Sequence, residues 1–594
     1  MKRNISMLIA VILMISCVSY SAAAADASDS ISTTSLTIDD TVTQLTLFNA
    51  YQFDDNGFAY HLRENGTIEI GGYIGKEENL VFPDAINNIP VTMVGLKYPA
   101  EEIKSRVKSI TIPESVTNIE FLNTYQFDNL ETVFFNAVNC YETAVNATAA
   151  FANHSKLDTV FIGDKVEIIP QGLCQASCIT YIELPDSLKE IKHNAFMRCN
   201  YLEQIVIPDH VTMLGEEAFY GCDRLKNAVI GNGVTDIGLK TFYYADQLES
   251  VSFGTGVEKI GESAFEMCSA LKTIDTKNIK TIGKYAFKKC SALERADLRE
   301  GLTEIGESAF VDCTELTEAT LPDTLTDLGS YAFLNCSKLA SVVIPDGVTT
   351  VPSMCFAFCK AASEVIVPET VNYIGKWAFL DTAWYQSQPD GETYINNILY
   401  TYKGEMPGDY VCSVKEGTES ISPSAFESQS NLISLSIPEG VQRVGQFAFV
   451  YCPELKSVSL PRSLSKIDIG AFGYVANPKN PNKYVKVDGF TIYGYIGSGA
   501  QKYAEKGKYT FVPISDTGDP LGLGDVDEDG DTTILDATWI QRGNVQMQIP
   551  MAEEVLQTCG DVDGDGETTV IDATLIQRYD SKIATPYPIG KPLT

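Results

Sequence analysis

Apolar and polar positions alternate along most of this chain and then repeat with a fixed period. Phenylalanine marks the repeat: it stands at 196, 219, 242, 265, 287, 310, 333, 356, 379, 426, 449 and 472, so that most steps are 23, one is 22 and one is 47. Phe127, Phe151 and Leu173 extend the series upstream with steps of 24, 22 and 23. In one unit, residues 319–341 (ATLPDTLTDLGSYAFLNCSKLAS), the alternating opening predicts a strand and Pro322-Asp323 a turn. Leu325–Leu328 predicts a second short extended piece, and SYAFLNC one short helical turn with Ala332 and Phe333 facing inward. A unit this small does not fold alone. Each buried Leu, Ile or Phe contributes about 1.5–3 kcal/mol, whereas ordering costs about 1–2 kcal/mol of backbone entropy per residue. Stacked units share one continuous core, which predicts a solenoid.

The text I-P-x-x-V-x-x-I-G-x-x-A-F-x-x-C-x-x-L, plain in residues 205–222 (IVIPDHVTMLGEEAFYGC), resembles the BspA-like leucine-rich repeat family of bacterial surface proteins. The resemblance covers residues 60–512 and implies a curved α/β repeat solenoid used for binding or adhesion. Residues 383–425 break the pattern for one repeat length, which predicts a degenerate repeat whose helical part is replaced by a hairpin around Pro389-Asp390-Gly391. Its Trp384, Tyr385, Tyr394, Tyr400 and Tyr402 either form a binding platform or cover the core where the helix is missing, and the second reading is preferred. Residues 66–95 and 489–512 lack the A-F text and read as caps, the second as a strand, a short helix and a closing strand.

The C-terminal text differs in kind. Residues 524–542 (GDVDEDGDTTILDATWIQR) and 560–578 (GDVDGDGETTVIDATLIQR) are identical at fourteen of nineteen positions and lie 36 residues apart. Each copy sets acids at loop positions 1, 3, 5 and 12 and glycine at 6. A hard cation such as Ca²⁺ takes six to eight oxygen ligands, and this spacing supplies them from one turn of chain and the helix that follows. The predicted ligands are Asp525, Asp527, Asp529, the Asp531 carbonyl and Asp536 in the first loop. In the second they are Asp561, Asp563, Asp565, the Glu567 carbonyl and Asp572, which makes two Ca²⁺ in all. Thr533 and Thr569 occupy position 9, where a ligand often acts through water.

This tail, residues 524–594, resembles a type I-like dockerin, the small all-α calcium module of paired loop-helix F-hands that plugs into cohesin domains of cellulosome scaffolds. The resemblance implies a cohesin partner and contacts from loop positions 10 and 11 and the following helix. In this chain these are Ile534, Leu535, Gln541 and Arg542, matched by Val570, Ile571, Gln577 and Arg578. Clostridial dockerins often carry Ser or Thr at positions 10 and 11; this chain has apolar residues there, so cohesin specificity does not carry over. Residues 513–523 read as the linker.

Charge and composition narrow the function. The formal net charge is −34, a field that repels phosphate backbones and anionic lipid, so nucleic-acid and membrane partners are disfavoured. Lys2 and Arg3 precede an apolar run, Ile5–Val18, and the small-residue text SYSAAAADA, which predicts a signal peptide over residues 1–25; residues 26–59 read as a leader. Fifteen cysteines in a secreted chain suggest disulfides. However, Cys199, Cys222, Cys268, Cys290, Cys313, Cys336, Cys359 and Cys452 all stand three residues after the marker phenylalanine. That is one repeat slot, which predicts a buried ladder of free thiols. His61, His154, His193 and His210 fall at different slots, and neither H-E-x-x-H nor G-x-S-x-G occurs. The expectation is a monomeric, secreted, non-catalytic binding or adhesion protein of a bacterium. Its dockerin docks it to a cellulosome-type scaffold, and its solenoid meets a protein, a cell surface or plant polysaccharide. The alternatives are a dockerin-borne hydrolase acting on polysaccharide or peptide, and a structural spacer.

Overall fold

The computed structural model describes residues 51–96, 101–120, 127–143, 150–151, 154–477, 479–515, 518, 521, 526–527, 531–533, 535–538, 540, 558–562, 567–580 and 589. Signal-peptide residues 1–25 lie outside the described residues.

Each 23-residue turn carries two short strands that pair in parallel with the equivalent strands of the neighbouring turns. In one ladder Ile205 sits opposite Ala228, and Ala228 opposite Val251. In the other Ile237 meets Ile260, Ile260 meets Ile282, and Ile282 meets Ile305. The register offset equals the sequence period, so every side chain meets its own equivalent one turn on. Strand Gln204–Val206 shows the consequence: Ile205 is buried and its two neighbours are exposed.

The third side of each turn departs from the expected helical turn. The residue before the alanine and the second after the phenylalanine both adopt left-handed backbone, as in Tyr331 (φ 61°) and Asn335 (φ 60°) around Phe333. The same pair recurs at Ser308 and Asp312, and at Met354 and Phe358. Their amides point along the solenoid axis. Tyr331, Phe333 and Asn335 N–H donate to the Ser353, Cys355 and Ala357 carbonyls at 3.0, 2.8 and 2.9 Å. An α-helical turn would direct those donors back to the i−4 carbonyls of the same turn. Here the next turn accepts them, which offsets a left-handed cost of about 1–2 kcal/mol per residue.

Inside, the marker phenylalanines form a stack. Ring centroids from Phe196 to Phe356 lie 5.0–5.3 Å apart in successive turns, with interplanar angles of 2–12°. The glycine of the I-G text is required by the same close stacking: a Cβ on Gly329 would lie 2.3 Å from the Glu307 nitrogen.

Both ends are closed by altered chain. Strands Gln52–Phe53, Phe58–Leu62 and Ile68–Tyr73 pair antiparallel, and the last pairs in parallel with Ile89–Gly95 to start the stack. Residues 52–59, expected within the leader, therefore belong to the cap, because Phe58 is buried against Tyr73 and Phe82 at 4.9 and 5.5 Å. At the other end come strand Thr491–Gly494, helix Gly499–Gly507 and strand Thr510–Pro513. Ser498 caps that helix, and Ala500 and Ala504 are buried on its inner face.

The irregular segment opens with a short helix, Ala383–Ser387, capped by Thr382. A hairpin of Gly391–Ile395 and Ile398–Lys403 follows. Its turn is Asn396-Asn397, with Asn396 left-handed (φ 50°), and not the expected Pro389-Asp390-Gly391. Asn tolerates the positive φ of a two-residue hairpin turn, and Pro389 simply leads into the first strand. The core divides at this hairpin: Tyr400 belongs to the N-terminal cluster and Tyr402 to the C-terminal one.

Candidate calcium-binding and docking site

The two acidic loops are organised around their twelfth residues. Asp536 and Asp572 are fully buried. Asp536 Oδ1 accepts the Val526 and Asp527 N–H groups at 2.6 and 3.1 Å, and Oδ2 accepts the Thr533 N–H at 2.7 Å. Asp572 repeats the pattern, accepting the Val562 N–H at 2.7 Å and the Thr569 N–H at 2.7 Å. Each carboxylate thus ties the start of its loop to the start of the helix behind it. Thr533 and Thr569 are the first members of T-x-x-D capping boxes; the Thr533 hydroxyl accepts the Leu535 N–H at 3.1 Å. The second box opens helix Val570–Asp580. Sequence reasoning assigned position 12 to the metal alone and missed the amides of Val526 and Val562. The signal was present in the apolar residue between the first two acids of each D-V-D.

A small core supports this arrangement: Val526, Ala537 and Ile540 from one copy pack with Val562, Ala573, Leu575, Ile576 and Ile589. Val526 and Val562, and Ala537 and Ala573, are equivalent residues, so the duplicated text folds onto itself. Leu521 is buried with Cys559 and packs against Ile496 of the C-terminal cap.

The donor set suits a hard divalent cation. Burial pushes the Asp536 carboxyl above its usual range and the neighbouring Asp527 adds to that shift, while three backbone amides oppose it. Both Asp536 oxygens are engaged by the loop, Oδ2 also by the Thr533 hydroxyl at 3.4 Å, so an ion bound through this carboxylate would replace some of these bonds. Among the described residues no three His, Cys, Asp or Glu side chains are gathered as a metal cluster; of the expected ligands, Asp527, Asp531 and Asp536 lie in the first loop and Asp561, Glu567 and Asp572 in the second. Asp525, Asp529, Asp563 and Asp565 lie outside the described residues.

Of the expected partner contacts, Leu535 is 46 % exposed, so it points outward and does not pack the module's core. Gln577, on helix Val570–Asp580, is half-buried. Val570, Ile571 and Arg578 are placed along the same helix. Ile534, Gln541 and Arg542 lie outside the described residues.

The repeat cysteines have a structural role. The thiols of Cys222, Cys268, Cys290, Cys313, Cys336, Cys359 and Cys452 each donate to the carbonyl of the phenylalanine one turn earlier, at 3.1–3.3 Å. Cys199 donates to the Cys174 carbonyl at 3.0 Å. All eight are buried and unbridged. Thr382, in the same slot, makes the equivalent bond to its own Phe379 carbonyl at 2.9 Å. The histidines remain apart: His61 faces Glu69 at 3.5 Å, His193 faces Glu216 at 4.0 Å, and His154 stacks on Phe127. No helix among the described residues is long and apolar enough to cross a membrane.

Comparison with known proteins agrees with both halves of this description. The family described as BspA type leucine rich repeat region matches in six copies, over residues 102–203, 190–313, 280–387 and 412–485. The dockerin type I domain family matches residues 523–579. No curated protein matches. Among solved structures, a leucine-rich repeat protein from Bacteroides ovatus is 24 % identical, with 70 % of this chain and 96 % of that one covered and a TM-score of 0.45. A leucine rich cell surface protein from Faecalibacterium prausnitzii is 21 % identical, with 70 % and 94 % covered and a TM-score of 0.31.

Proposed function

Because the chain belongs to the BspA-type leucine-rich repeat family and carries a dockerin type I domain near its C-terminus, we propose that it is a secreted, non-catalytic binding protein held on a cellulosome-type scaffold. Dockerin type I domains bind calcium in general, and a cohesin domain is the partner the module implies. In this reading two Ca²⁺ ions, one per loop, order the docking module. Leu535, Gln577 and their equivalents meet the cohesin, and the solenoid presents its surface to an external ligand at the bacterial cell surface or on plant fibre.

The observation that carries this reading is the repeated tie made by Asp536 and Asp572. Each side chain fixes a loop of acids against a helix, and a cation bound among those acids would relieve their mutual repulsion. The test is capture of the full chain on a panel of immobilised cohesins, in calcium and in excess chelator. Capture in calcium that is lost in chelator is the expected result. Undiminished capture in chelator, or no cohesin that captures, would remove the docking reading.

A further inference from the structure

The irregular segment leaves a notch in the solenoid, and we propose that this notch binds a glycan, with Trp377, Tyr385 and Ser424 as the walls that contact one sugar ring. The inference deepens the reading of the solenoid as the ligand-bearing part of the chain.

The notch exists because one A-F turn is missing. Up to that point the amide ladder is continuous: Met354, Phe356 and Phe358 donate to the Lys376, Ala378 and Leu380 carbonyls. The next donors are Trp377, Phe379 and Asp381. Phe379 N–H finds the Tyr400 hydroxyl at 2.9 Å. No protein acceptor among the described residues meets the Trp377 or Asp381 N–H. Beyond the gap the ladder resumes, with Ser424, Phe426 and Ser428 donating to Gln446, Ala448 and Val450. On that wall the Ala425 carbonyl takes the Tyr402 N–H. Lys376 and Glu427, 51 residues apart in sequence, bridge the gap by a 2.7 Å ion pair.

A cavity of 290 Å³ occupies this gap, with Trp377, Tyr385, Tyr402, Ser424 and Glu427 among its lining residues. That volume lies just below the roughly 300–1,000 Å³ of small-molecule sites and suits a single ring. Two features point to a ligand and not to an accident of packing. Trp377 is 39 % exposed although it is a large apolar side chain, held in place by the Lys376 ammonium 3.8 Å from its ring centre. Ser424 is only 4 % exposed, yet its hydroxyl has no hydrogen-bond partner. A buried hydroxyl without a partner is uncommon in a finished core.

The chemistry that fits is a neutral pyranose. Its C–H face stacks on an aromatic ring, and its hydroxyls both donate and accept. The notch offers the unused N–H donor of Trp377, the Ser424 hydroxyl in its wall, and the Glu427 carboxylate as acceptor. A peptide would satisfy the backbone donors but needs a longer open edge than one missing turn provides. The glycan is therefore the occupant that these groups favour.

The test uses the full-length chain in affinity electrophoresis through gels containing soluble β-glucan, xylan or mannan. Calorimetry follows, with a hexasaccharide of whichever polymer retards it. At least one polymer is expected to retard the chain. Trp377→Ala and Tyr385→Ala should each weaken the hexasaccharide about tenfold or more, the loss of one stacked ring. Ser424→Gly, which keeps the left-handed backbone at φ 57°, should weaken it about threefold to tenfold with an unchanged circular dichroism spectrum. Phe161→Ala, an exposed ring elsewhere on the solenoid, should have no effect. Retardation that survives all three notch variants would overturn the notch while the solenoid remains a binding surface. Chain that ignores every polymer but is still captured by cohesin in calcium would overturn the notch and leave the docking reading intact. Hexasaccharide displaced by an unrelated extended peptide, and not by free sugar, would also sink the proposal.

Discussion

The Tyr400 hydroxyl accepts the Phe379 amide proton at 2.9 Å, and its ring meets the Phe379 ring edge-on at 5.9 Å. Trp384 approaches the same ring edge-on at 5.8 Å, so the phenylalanine stack ends there under two aromatic covers. On the far side Tyr402 covers Phe426 at 5.5 Å, and the stack begins again. The hairpin is thus a seam between two cores. Tyr400→Phe keeps the cover and orphans the Phe379 N–H, which should cost about 1–3 kcal/mol. Tyr400→Ala opens the end of the stack and should cost about 3–5 kcal/mol. Urea unfolding followed by fluorescence should show the loss in the N-terminal core first, as an early step separated from the rest. A single unshifted transition for Tyr400→Ala would contradict the seam.

Calcium stoichiometry should follow the position-12 residues one for one. Asp536→Ala and Asp572→Ala each remove a buried carboxylate that holds two ends of a loop. Calorimetry should find one ion fewer in each single variant and none in the double. Asp→Asn substitution should preserve part of the loop fold through its remaining oxygen acceptor while weakening calcium strongly.

The repeat thiols should resist chemistry until the chain unfolds. Burial raises Cys199 and Cys452 to about 12, and Cys222 and Cys290 move in the same direction for the same cause. Alkylation at pH 8.5 should be slow for these and complete in denaturant. Cys178 is less buried than they are and should react first.

The same shifts set a pH dependence. The folded pKa lies above the unfolded value near 9, so between about pH 9 and 12 the folded state keeps protons that the unfolded state has released. The unfolded state then binds fewer protons, and stability falls as pH rises. The stabilisation is complete below pH 9 and is lost through that window, by up to about 1.4 kcal/mol per buried thiol for each pH unit. Thermal unfolding from pH 8 to 11 should show a steep alkaline fall, and a chain with several ladder cysteines replaced by alanine should show a shallower one.

Gly329→Ala should be among the most damaging single-methyl changes in the solenoid. The new Cβ would lie 2.3 Å from the Glu307 nitrogen and 2.4 Å from the Gly306 carbonyl carbon, both backbone atoms with nowhere to move. A loss of about 1–3 kcal/mol is expected, measurable by thermal unfolding. Gly301→Ala, whose Cβ would meet open space but whose φ is 102°, tests backbone strain without the clash.

Much of this was readable from the residues. The period placed Phe333 over Phe310 and under Phe356, and Cys336 in one slot with Cys313 and Cys359, because a solenoid brings each residue to its own equivalent. The duplicated acid spacing and the helical text after each copy pointed to two loop-helix units, whereas the capping role of Thr533 and Thr569 went unread. The direction of the amides around Phe333 was not readable: A-F-x-x-C suits a helical turn locally, and only the neighbouring carbonyls of Cys355 and Ala357 favour the left-handed alternative. Nor was the hairpin turn at Asn396-Asn397, since Pro389-Asp390-Gly391 carries the stronger local turn signal.

Sequence alone determined the repeat length, the inward residues and the acid spacing, all of which are properties of neighbours along the chain. Tertiary structure alone decided which amides go unused at Trp377 and Asp381, which hydroxyl is left buried at Ser424, and where the core splits. Those outcomes depend on what the next turn supplies, and at residues 383–425 the next turn is missing.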